Sequence, residues 1–392
     1  MRIVFIPSWY PEEKNPLNGI FIHEQAVFLH QQGHEVFVLY QRMVSIKEYL
    51  KGQRKGSIRK QAVCIDGVEV RRVFGLNYFP KLKNLQKRLY ISRYIALYKK
   101  IISEFGQADI IHCHVTYPAG IGAVGLRKKF QVPLIITEHS SSFIKGTISR
   151  YRKSVIQNIF AHMDRLVVVS NFLKIKILEN YQIPEKSATT ISNMVDTDFF
   201  TMLKPLRERS NDSRFKFFAL GALTRGKGIY DLIEAFSLMS EKKAILAIGG
   251  DGPERKTLEQ RCFDTGIADR VTCLGRISRE STAQQMNQCD VFIMPSHYET
   301  FSVVLIEALA CGVPVISTAS GGPDDIVTEK NGILVPVGDT ASLAEAMSTM
   351  INSFETYDRK EIREDCIKRF GKVAVSEKIY ALYQELAAHK IG

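Results

Sequence analysis

The segment ETFSVVLIEALACGVPVIST, residues 299–318, is apolar except for a carboxylate at its entrance, Glu299, and another in its middle, Glu307. Ser302 is a favourable N-cap residue, and a Gly-Val-Pro stop follows the apolar run, so residues 303–311 are predicted to form one short helix. The β-branched run after the stop predicts a strand. Such a helix would be buried on most sides, which makes the two carboxylates its most informative residues.

The two carboxylates have different expected partners. Because Glu307 cannot easily face solvent, it needs either a basic side chain of the core or a pair of ligand hydroxyls to hydrogen-bond it. Glu299 lies just before the helix N-terminus, where unpaired N–H groups and the helix dipole favour an anion. A helix start able to hold a diphosphate, with one carboxylate for sugar hydroxyls and one for ribose hydroxyls, predicts a nucleotide-sugar site.

Apolar runs alternate with helical patterns along most of the chain. The strand-like runs are RIVFIP, EVFVLY, ADIIHCH, PLIITEH and RLVVVS in the first half, and FKFFALG, AILAIGG, RVTCLG, DVFIMPS, VPVIST and GILVPV in the second. This βαβ order predicts the α/β class, with parallel doubly wound sheets. The polar segment 201–214, TMLKPLRERSNDSR, has the composition of a linker. Two successive Rossmann-like domains are therefore predicted.

The charge of the chain belongs to its first half. The net charge is +12, and residues 1–190 hold 29 basic against 13 acidic side chains, whereas residues 191–392 hold 24 against 28. A basic half suggests a polyanionic partner, namely nucleic acid, an anionic membrane surface or a phosphate-bearing substrate. No nucleic-acid-binding module is recognised, so a nucleic-acid partner is not expected.

Two basic stretches, 51–60 and 79–105, carry much of this charge. In the second, apolar residues recur at helical spacing and basic residues fall on the other side, which predicts a basic amphipathic helix. Its apolar positions are Tyr90, Tyr94, Leu97, Tyr98 and Ile101. Two interpretations remain open: a surface helix packed on its own core, or a helix that contacts an anionic membrane.

The sequence gives no sign of secretion or of a membrane span. No run of 18 apolar residues occurs, and the apolar run at Ile3–Ile6 is too short for a signal peptide. The seven cysteines are scattered, odd in number and without a C-x-x-C pair, so neither a disulfide framework nor a cysteine zinc site is suggested. We therefore expect a cytoplasmic protein, peripheral at the inner face of the plasma membrane.

Polar residues follow the strands of the first half, where ligands of open α/β sheets bind. Gly19 precedes a helix after the first strand, and a glycine there lets backbone N–H groups approach a phosphate or sugar, although the residue taken alone favours a turn role. His139 and Ser140 follow PLIIT and serve either as structural caps or as groups facing a cleft. His112 and His114 share one face of a strand, but no third ligand occurs at recognisable spacing, so no metal site is expected.

The chain resembles the retaining glycosyltransferases of the GT-B fold, of the large family 4 (glycosyl transferases group 1) type, over essentially its whole length. The most specific match is HYETFSVVLIEALACGVPVIST, which is similar to the E-x₇-E signature of that family. GALTRGKGIYDLIEAF (221–236), GDGPE (250–254), LGRIS (274–278) and ISNMVDTDFF (191–200) resemble further family segments. The resemblance implies an interdomain cleft, an acceptor-binding domain at 1–200 with a C-terminal crossover helix at 373–392, and a donor-binding domain at 201–372.

The resemblance also implies roles for individual residues. Lys227 is expected to neutralise the donor diphosphate, Glu307 to hold the ribose, and Glu299 to bind the transferred sugar. The implied donor-binding residues are Gly221, Arg225, Lys227, Gly252, Arg276, Glu299, Thr300, Phe301, Ser302, Val303 and Glu307. The implied acceptor-side residues are Gly19, His139 and Ser140, and the residues expected to act in catalysis are Glu299, Lys227, Arg225 and His139.

The chain departs from the family at Ala222, where an arginine usually follows the glycine. Arg225 is the nearby guanidinium that we expect to replace it, because the planar fork of arginine suits phosphate. The implied reaction proceeds with retention, and no protein nucleophile is supported by a motif. Asp196 and Asp198 resemble a D-x-D metal motif but lie at the domain junction, so turn and cap roles, metal independence and no cofactor are expected.

Other functions share parts of this pattern. A nucleotide-sugar 2-epimerase has the same architecture and would consume a UDP-sugar without an acceptor. A glycan phosphorylase needs a pyridoxal-phosphate lysine, for which no motif is present. A basic nucleic-acid-binding protein would show strongly salt-dependent DNA affinity. The favoured partners are a nucleotide-sugar donor, with UDP as its nucleotide, a glycan or lipid-linked acceptor and an anionic membrane surface.

Overall fold

The computed structural model describes residues 1–13, 15–44, 58–78, 82–203 and 214–388. Contacts divide the chain into two units. Unit 1 contains Met1–Val169, Lys174–Ile191 and Ser376–Gly392, and unit 2 contains Ser170–Leu173 and Ser192–Val375. Most of the basic stretch 51–60 and the first residues of 79–105 lie outside the described residues.

The described part of unit 1 is built on an eight-stranded sheet. Its strands are β1 (Arg2–Pro7), β2 (Glu35–Val44), β3 (Ile58–Ile65), β4 (Val68–Leu76), β5 (Ile110–His114), β6 (Leu134–Glu138), β7 (Arg165–Val168) and β8 (Ala188–Thr190). The strand order is β3-β4-β2-β1-β5-β6-β7-β8, and only the β3–β4 pair is antiparallel. The order reverses between β1 and β5, a point beside which ligands bind in such sheets.

Six helices follow these strands among the described residues. They are α1 (Ile20–Gln31), α2 (Lys83–Phe105), α3 (Ala119–Phe130), α4 (Ser142–Lys145), α5 (Arg150–Phe160) and α6 (Asn171–Asn180), which passes from unit 2 into unit 1 at Lys174. β1 is buried from Ile3 onward, as expected for a central strand with both faces covered.

The amphipathic helix predicted within 79–105 is α2. Its buried residues include all five predicted apolar positions, so that prediction is confirmed. A Cβ on Gly122 of α3 would lie 2.2 Å from the Tyr94 ring, which shows how closely α2 packs on α3. The apolar face of α2 is thus used by its own core, and only the polar face remains for another surface.

Unit 2 carries a six-stranded parallel sheet in its described part. The strands are β9 (Lys216–Leu220), β10 (Ile245–Gly249), β11 (Val271–Gly275), β12 (Val291–Met294), β13 (Val315–Thr318) and β14 (Gly332–Val335). Their order is β11-β10-β9-β12-β13-β14, the doubly wound order of dinucleotide-binding sheets. Apolar residues of β9, β10 and β12 and of the flanking helices form its core. The α/β prediction with doubly wound sheets is confirmed.

The helices of unit 2 alternate with these strands. They are α7 (Ile229–Leu238), α8 (Arg255–Asp264), α9 (Arg279–Gln288), α10 (Val303–Ala310), α11 (Thr340–Ser353), α12 (Arg359–Phe370) and α13 (Lys372–Ala388), whose residues from Ser376 onward count in unit 1. α12 and α13 are separated at Gly371. Contacts divide the chain after Ile191 rather than at 200, and 204–213 of the linker lies outside the described residues.

Candidate functional site

The turn that carries Arg225 and Lys227 follows β9 and leads into α7. It is a single 3-10 turn, and Gly228 after it adopts a left-handed conformation with φ of 63°. A Cβ on Gly228 would lie 1.7 Å from the carbonyl oxygen of Pro295, so a side chain there is excluded by backbone contact. The turn therefore packs directly on the segment that follows β12.

Lys227 and Glu299 are brought together by this packing. Nζ of Lys227 lies 2.5 Å from Oε1 of Glu299, and the Glu299 side chain is 14% exposed against 39% for Lys227. The backbone of Glu299 is fixed on both sides, because its N–H donates to Ser320 O and its carbonyl accepts from Gly322 N. A cation and a carboxylate thus share one place at the carboxyl end of the sheet.

Arg225 is placed differently from Lys227. Its side chain is 85% exposed, and its Nε lies 3.8 Å from Oε1 of Glu254. Tyr230 donates a hydrogen bond to the other oxygen of that carboxylate. Arg225 is therefore available to a ligand at the surface, and its proposed replacement of the family arginine at Ala222 stays a prediction.

α10 is the helix predicted from the opening segment, and it spans Val303–Ala310. Ser302 occupies the N-cap position, but its side chain makes no capping hydrogen bond, so this part of the prediction is wrong. Ser302 instead has φ of 91°, and its buried hydroxyl contacts Sδ of Met294. The first N–H groups of α10 therefore have no side-chain cap, an arrangement suited to a phosphate or sugar oxygen.

The neighbours of Ser302 divide between core and site. Phe301 is buried, and its ring lies 5.8 Å from that of Phe370, so only its backbone can meet a ligand. Thr300 and Val303 are half-buried. Glu307 is also half-buried rather than enclosed on most sides as the sequence suggested.

The loop after β9, which carries Gly221, contacts the loop after β10, which carries Gly252. A Cβ on Gly252 would lie 2.3 Å from Leu223 O, whereas a Cβ on Gly221 would meet no atom within 4 Å. The two loops are thus in contact, and Gly221 leaves open space beside them. Arg276 follows β11 and is exposed. The sequence-predicted donor residues therefore all lie in unit 2, at loops that follow β9 to β12 and at α10.

Two features of this region were not predicted. His297 Nε2 lies 2.6 Å from Asp231 Oδ2, next to the turn of Lys227. A glycine pair follows β13, and a Cβ on Gly322 would lie 2.3 Å from Phe301 N. A Gly-Gly-Pro that begins three residues after a strand was a usable signal for the second feature, whereas nothing in the sequence pairs His297 with Asp231.

Unit 1 holds the residues assigned to the acceptor. Gly19 is the N-cap of α1, with φ of 73°. Glu138 is fully buried at the end of β6 and accepts hydrogen bonds from the N–H groups of Thr116, His139 and Ser140. Burial raises the pKa of the Glu138 carboxyl, while these N–H donors oppose the shift. The carboxylate thus shapes the loop that presents His139 and Ser140.

Three buried histidines lie together beside this loop. Nδ1 of His114 is 3.4 Å from Nε2 of His139, and the rings of His112 and His114 are 4.1 Å apart. Both nitrogens of His112 are used, because they lie 2.6 Å from the hydroxyls of Tyr383 and Thr137. Burial lowers the pKa of His112 to about 3. His112 is therefore a neutral, hydrogen-bonded core residue rather than a metal ligand.

Metal ligation has little support in the residues that the structure describes, where no group of three His, Cys, Asp or Glu side chains is placed to hold a metal ion. The D-x-D aspartates have another role. Oδ1 of Asp196 accepts from the N–H groups of Asp198 and Phe199, and Lys372 pairs with both aspartates. The predicted turn role is confirmed for Asp196, while metal independence stays a prediction.

None of the helices in the described part of the chain is both long enough and apolar enough to cross a bilayer.

Two family comparisons divide the chain where its two halves meet. Residues 19–199 match the family described as Glycosyltransferase Family 4, and residues 204–369 match the family described as Glycosyl transferases group 1. Among curated proteins, the uncharacterized glycosyltransferase MJ1178 of Methanocaldococcus jannaschii is 29% identical over 313 residues, which cover 79% of this chain and 84% of that protein.

Solved structures share the fold over nearly the whole chain. Sucrose-phosphate synthase from Thermosynechococcus elongatus superposes with a TM-score of 0.77 at 21% identity, covering 99% of this chain and all of that one. Anabaena HepE in complex with UDP gives a TM-score of 0.76 at 20% identity, covering 98% of this chain and all of that one. At these identities the likeness concerns the fold alone.

Proposed function

The chain belongs to the GT-B glycosyltransferases of family 4 and group 1, and on that premise we propose that it transfers a sugar, with retention of configuration, from a UDP-sugar to a hydroxyl of a glycan or lipid-linked saccharide. The product would belong to a cell-surface polysaccharide or glycolipid. The UDP bound by the structurally similar HepE supports the choice of nucleotide. The basic charge of residues 1–190 supports a phosphate-bearing or membrane-linked acceptor.

The observation that carries this proposal is the 2.5 Å contact between Lys227 and Glu299 next to the uncapped start of α10. Lysine, helix N–H groups and a carboxylate are the three kinds of group that a diphosphate linked to a sugar requires. They lie at the carboxyl ends of β9 and β12, where the strand order of unit 2 reverses.

Each residue has a definite task in the proposed reaction. The bond between the anomeric carbon and the diphosphate breaks, and the charge that develops on the diphosphate is stabilised by Lys227, Arg225 and the start of α10. Glu299 orients the transferred sugar through its hydroxyls, and Glu307 holds the ribose. In unit 1, Gly19, His139 and Ser140 bind the acceptor.

The proposed reaction needs no enzyme nucleophile, metal or cofactor. The acceptor hydroxyl attacks from the face that the diphosphate leaves, through a short-lived oxocarbenium-like ion pair, and the leaving phosphate accepts its proton. Glu299 is already engaged by Lys227, which suits a hydroxyl-binding carboxylate better than an attacking one. This assignment differs from the paired carboxylates of retaining glycosidases.

The test is calorimetry of the full chain with UDP, GDP, ADP and their sugars, with and without EDTA. We expect a uridine nucleotide to bind and EDTA to leave its affinity unchanged. Glu307→Ala should weaken nucleotide binding by about tenfold, because a charged hydrogen bond to ribose is lost. Glu299→Ala should keep nucleotide affinity and lower kcat by about a hundredfold. Glu345→Ala, an exposed change on α11, is the matched control.

Two results would contradict the proposal. If Glu299→Ala and Glu307→Ala both kept wild-type turnover, the site assignment would be wrong. If UDP-sugar were converted to its 2-epimer with no acceptor present, the chain would be an epimerase of the same fold. If EDTA abolished nucleotide binding, only the prediction of metal independence would be wrong, and the rest of the proposal would stand.

A further inference from the structure

Two tyrosines and two cations form a cluster in unit 1 that is separate from the acceptor residues named above. Nζ of Lys83 lies 3.9 Å from the ring centroid of Tyr151, and Cζ of Arg152 lies 5.1 Å from that of Tyr117. We call these four residues the tyrosine–cation cluster. Lys83, Tyr151 and Arg152 are exposed, and Tyr117 is half-buried, so the cluster is open to a ligand.

The topology of the sheet places the cluster at the ligand-binding edge of unit 1. Lys83 begins α2, which follows β4, and Tyr117 follows β5. Tyr151 and Arg152 begin α5, which follows β6 and α4. Since β4, β5 and β6 run parallel with β1, their carboxyl ends meet at the edge where Gly19 and His139 also lie.

The surroundings of the cluster lack the carboxylates that normally neutralise such cations. The sequence has no acidic residue from Val70 to Ser103, and from Ile110 to Met163 it has only Glu138, which is fully buried. Within the described residues, neither Lys83 nor Arg152 forms an ion pair with a carboxylate. Within these two segments, the exposed side chains therefore give the cluster a positive field.

The two helix starts add to this field. α2 and α5 have no acidic residue in their first turns, although acidic residues are favoured there by the helix dipole. The contact between Lys83 and Tyr151 brings the first turns of the two helices together. The positive ends of two dipoles and two side-chain cations thus converge beside a pair of aromatic rings.

From this convergence we propose that the tyrosine–cation cluster binds an anionic saccharide, with Lys83 and Arg152 holding its phosphate or carboxylate and the tyrosine rings contacting the apolar face of its sugar ring. Stacking on the rings holds both cations in place before the ligand arrives, which reduces the ordering cost of binding. The guanidinium of Arg152 suits a planar or tetrahedral anion through paired hydrogen bonds. That this saccharide is the acceptor rests on the function proposed above.

The experiment measures binding of three probes to the full chain by calorimetry at low ionic strength: glucose 6-phosphate, glucuronate and glucose. It uses a Lys227→Ala background, so that the donor-site cation does not contribute. We expect at least one anionic sugar to bind about tenfold more tightly than glucose, and Lys83→Ala/Arg152→Ala to abolish that preference. The phosphate and carboxylate probes identify which anion is preferred.

The matched control is Lys128→Ala/Lys129→Ala. These two exposed lysines end α3, at the opposite edge of the same sheet, and their loss removes the same net charge. We expect the control to keep the preference within about twofold, because distant surface charges are screened. Tyr117→Leu, which removes one ring and no charge, should weaken both the neutral and the anionic sugars.

Several outcomes would overturn the inference. Equal binding of the three sugars, or an equal loss in the α3 control, would show that the cluster has no anion specificity. If the Lys83 and Arg152 changes affected only binding to vesicles containing phosphatidylglycerol, the cluster would be a membrane contact. The nucleotide titration separates the two proposals. Nucleotide binding without a preference for anionic sugars would contradict this inference alone. A preference for anionic sugars without nucleotide binding would contradict the donor assignment alone.

Discussion

His297 joins the turn of Lys227 to the segment of Glu299. The backbone N–H of His297 donates to Gly226 O at 3.1 Å. Nε2 of its ring lies 2.6 Å from Oδ2 of Asp231, in the first turn of α7. Both contacts hold the turn in the position from which Lys227 reaches Glu299. We therefore expect His297 to be a positioning residue, which acts through Lys227 rather than on the substrate.

We expect His297→Ala to raise the donor KM by about tenfold and to change kcat by less than about threefold, because a displaced lysine weakens phosphate binding in both ground and transition states. Asp231→Asn should act in the same direction and more weakly. Steady-state kinetics with His30→Ala, an exposed change in unit 1, as control would check this. A fall in kcat at unchanged KM would mean that His297 takes part in the chemical step.

The positions of candidate site residues could be predicted where a local sequence pattern indicates them. Glu299, Glu307 and the extent of α10 follow from an apolar helix with two carboxylates and a glycine stop. The conformation of Ser302 does not, because its φ of 91° is imposed by packing of its hydroxyl near Met294, eight residues away. Left-handed conformations of non-glycine residues depend on such tertiary contacts.

At the scale of elements, the close approach of the Lys227 turn to the end of β12 gives a sharp test. Gly228→Ala would place a Cβ 1.7 Å from Pro295 O, whereas Gly266→Ala, at a similar φ of 68°, would meet no atom within 4 Å. We expect unfolding free energy to fall by about 1 kcal/mol for Gly266→Ala and by at least about 3 kcal/mol for Gly228→Ala. Urea denaturation of both variants measures the difference, and equal losses would refute the close contact.

The polar face of α2 gives a second test at this scale. Since its apolar face is buried in the core, a membrane contact of α2 would use its basic residues, of which Lys87, Arg88, Lys99 and Lys100 lie outside the tyrosine–cation cluster. Changing all four to Ala should reduce binding to anionic vesicles by about a thousandfold at low salt, at roughly 1 kcal/mol per charge. The same change at Lys242, Lys243, Lys256 and Lys368 of unit 2 is the control. If the α2 variant bound anionic vesicles as tightly as the unchanged protein, the membrane surface would no longer be a partner in the proposed function.

Elements were predictable where periodicity was strong. The buried face of α2 matches its apolar spacing residue by residue. The β3–β4 pair was not predicted, because β4 carries Arg71 and Arg72 inside a strand. Both are buried, with Arg71 paired to Glu69 and Glu104 and Arg72 bonded to Pro11 O. Of these partners, Glu104 and Pro11 are distant in sequence, so the burial of the two arginines could not be predicted from the strand alone.

For the whole molecule, the buried histidines make stability depend on pH. Burial lowers the pKa of His112 to about 3 and that of His114 well below its usual range, while the unfolded chain protonates both near pH 6.5. The unfolded state therefore binds more protons as pH falls below about 6.5, and the free energy of unfolding decreases. Glu138 acts in the opposite sense, because burial raises its pKa and the folded state takes up its proton first.

We expect the two histidines to change the free energy of unfolding more than the one carboxyl does. The urea concentration at the midpoint of unfolding should therefore decrease when the pH is lowered from 7 to 4.5. His112→Gln should flatten this dependence, and His30→Gln, at an exposed position, should not. Denaturation series at both pH values would show it. A midpoint that rose on acidification would mean that Glu138 dominates.

The boundary between the two halves shows what composition alone cannot give. The polar linker suggested a change at residue 200, yet contacts assign Ser192 onward to unit 2. Val195 N donates to Phe370 O, and Arg363 donates to the carbonyls of Thr197 and Phe200. These partners come from α12, more than 160 residues later, and no local window of sequence contains them.

The last helix carries a consequence for how the chain is made. Tyr383 of α13 is fully buried and lies 2.6 Å from His112, in a central strand of unit 1. A ribosome that has synthesised the first 200 residues has therefore not yet supplied a piece of the core that those residues need. Unit 1 can collapse early during translation, but it reaches its final packing only after almost all of the polypeptide has emerged.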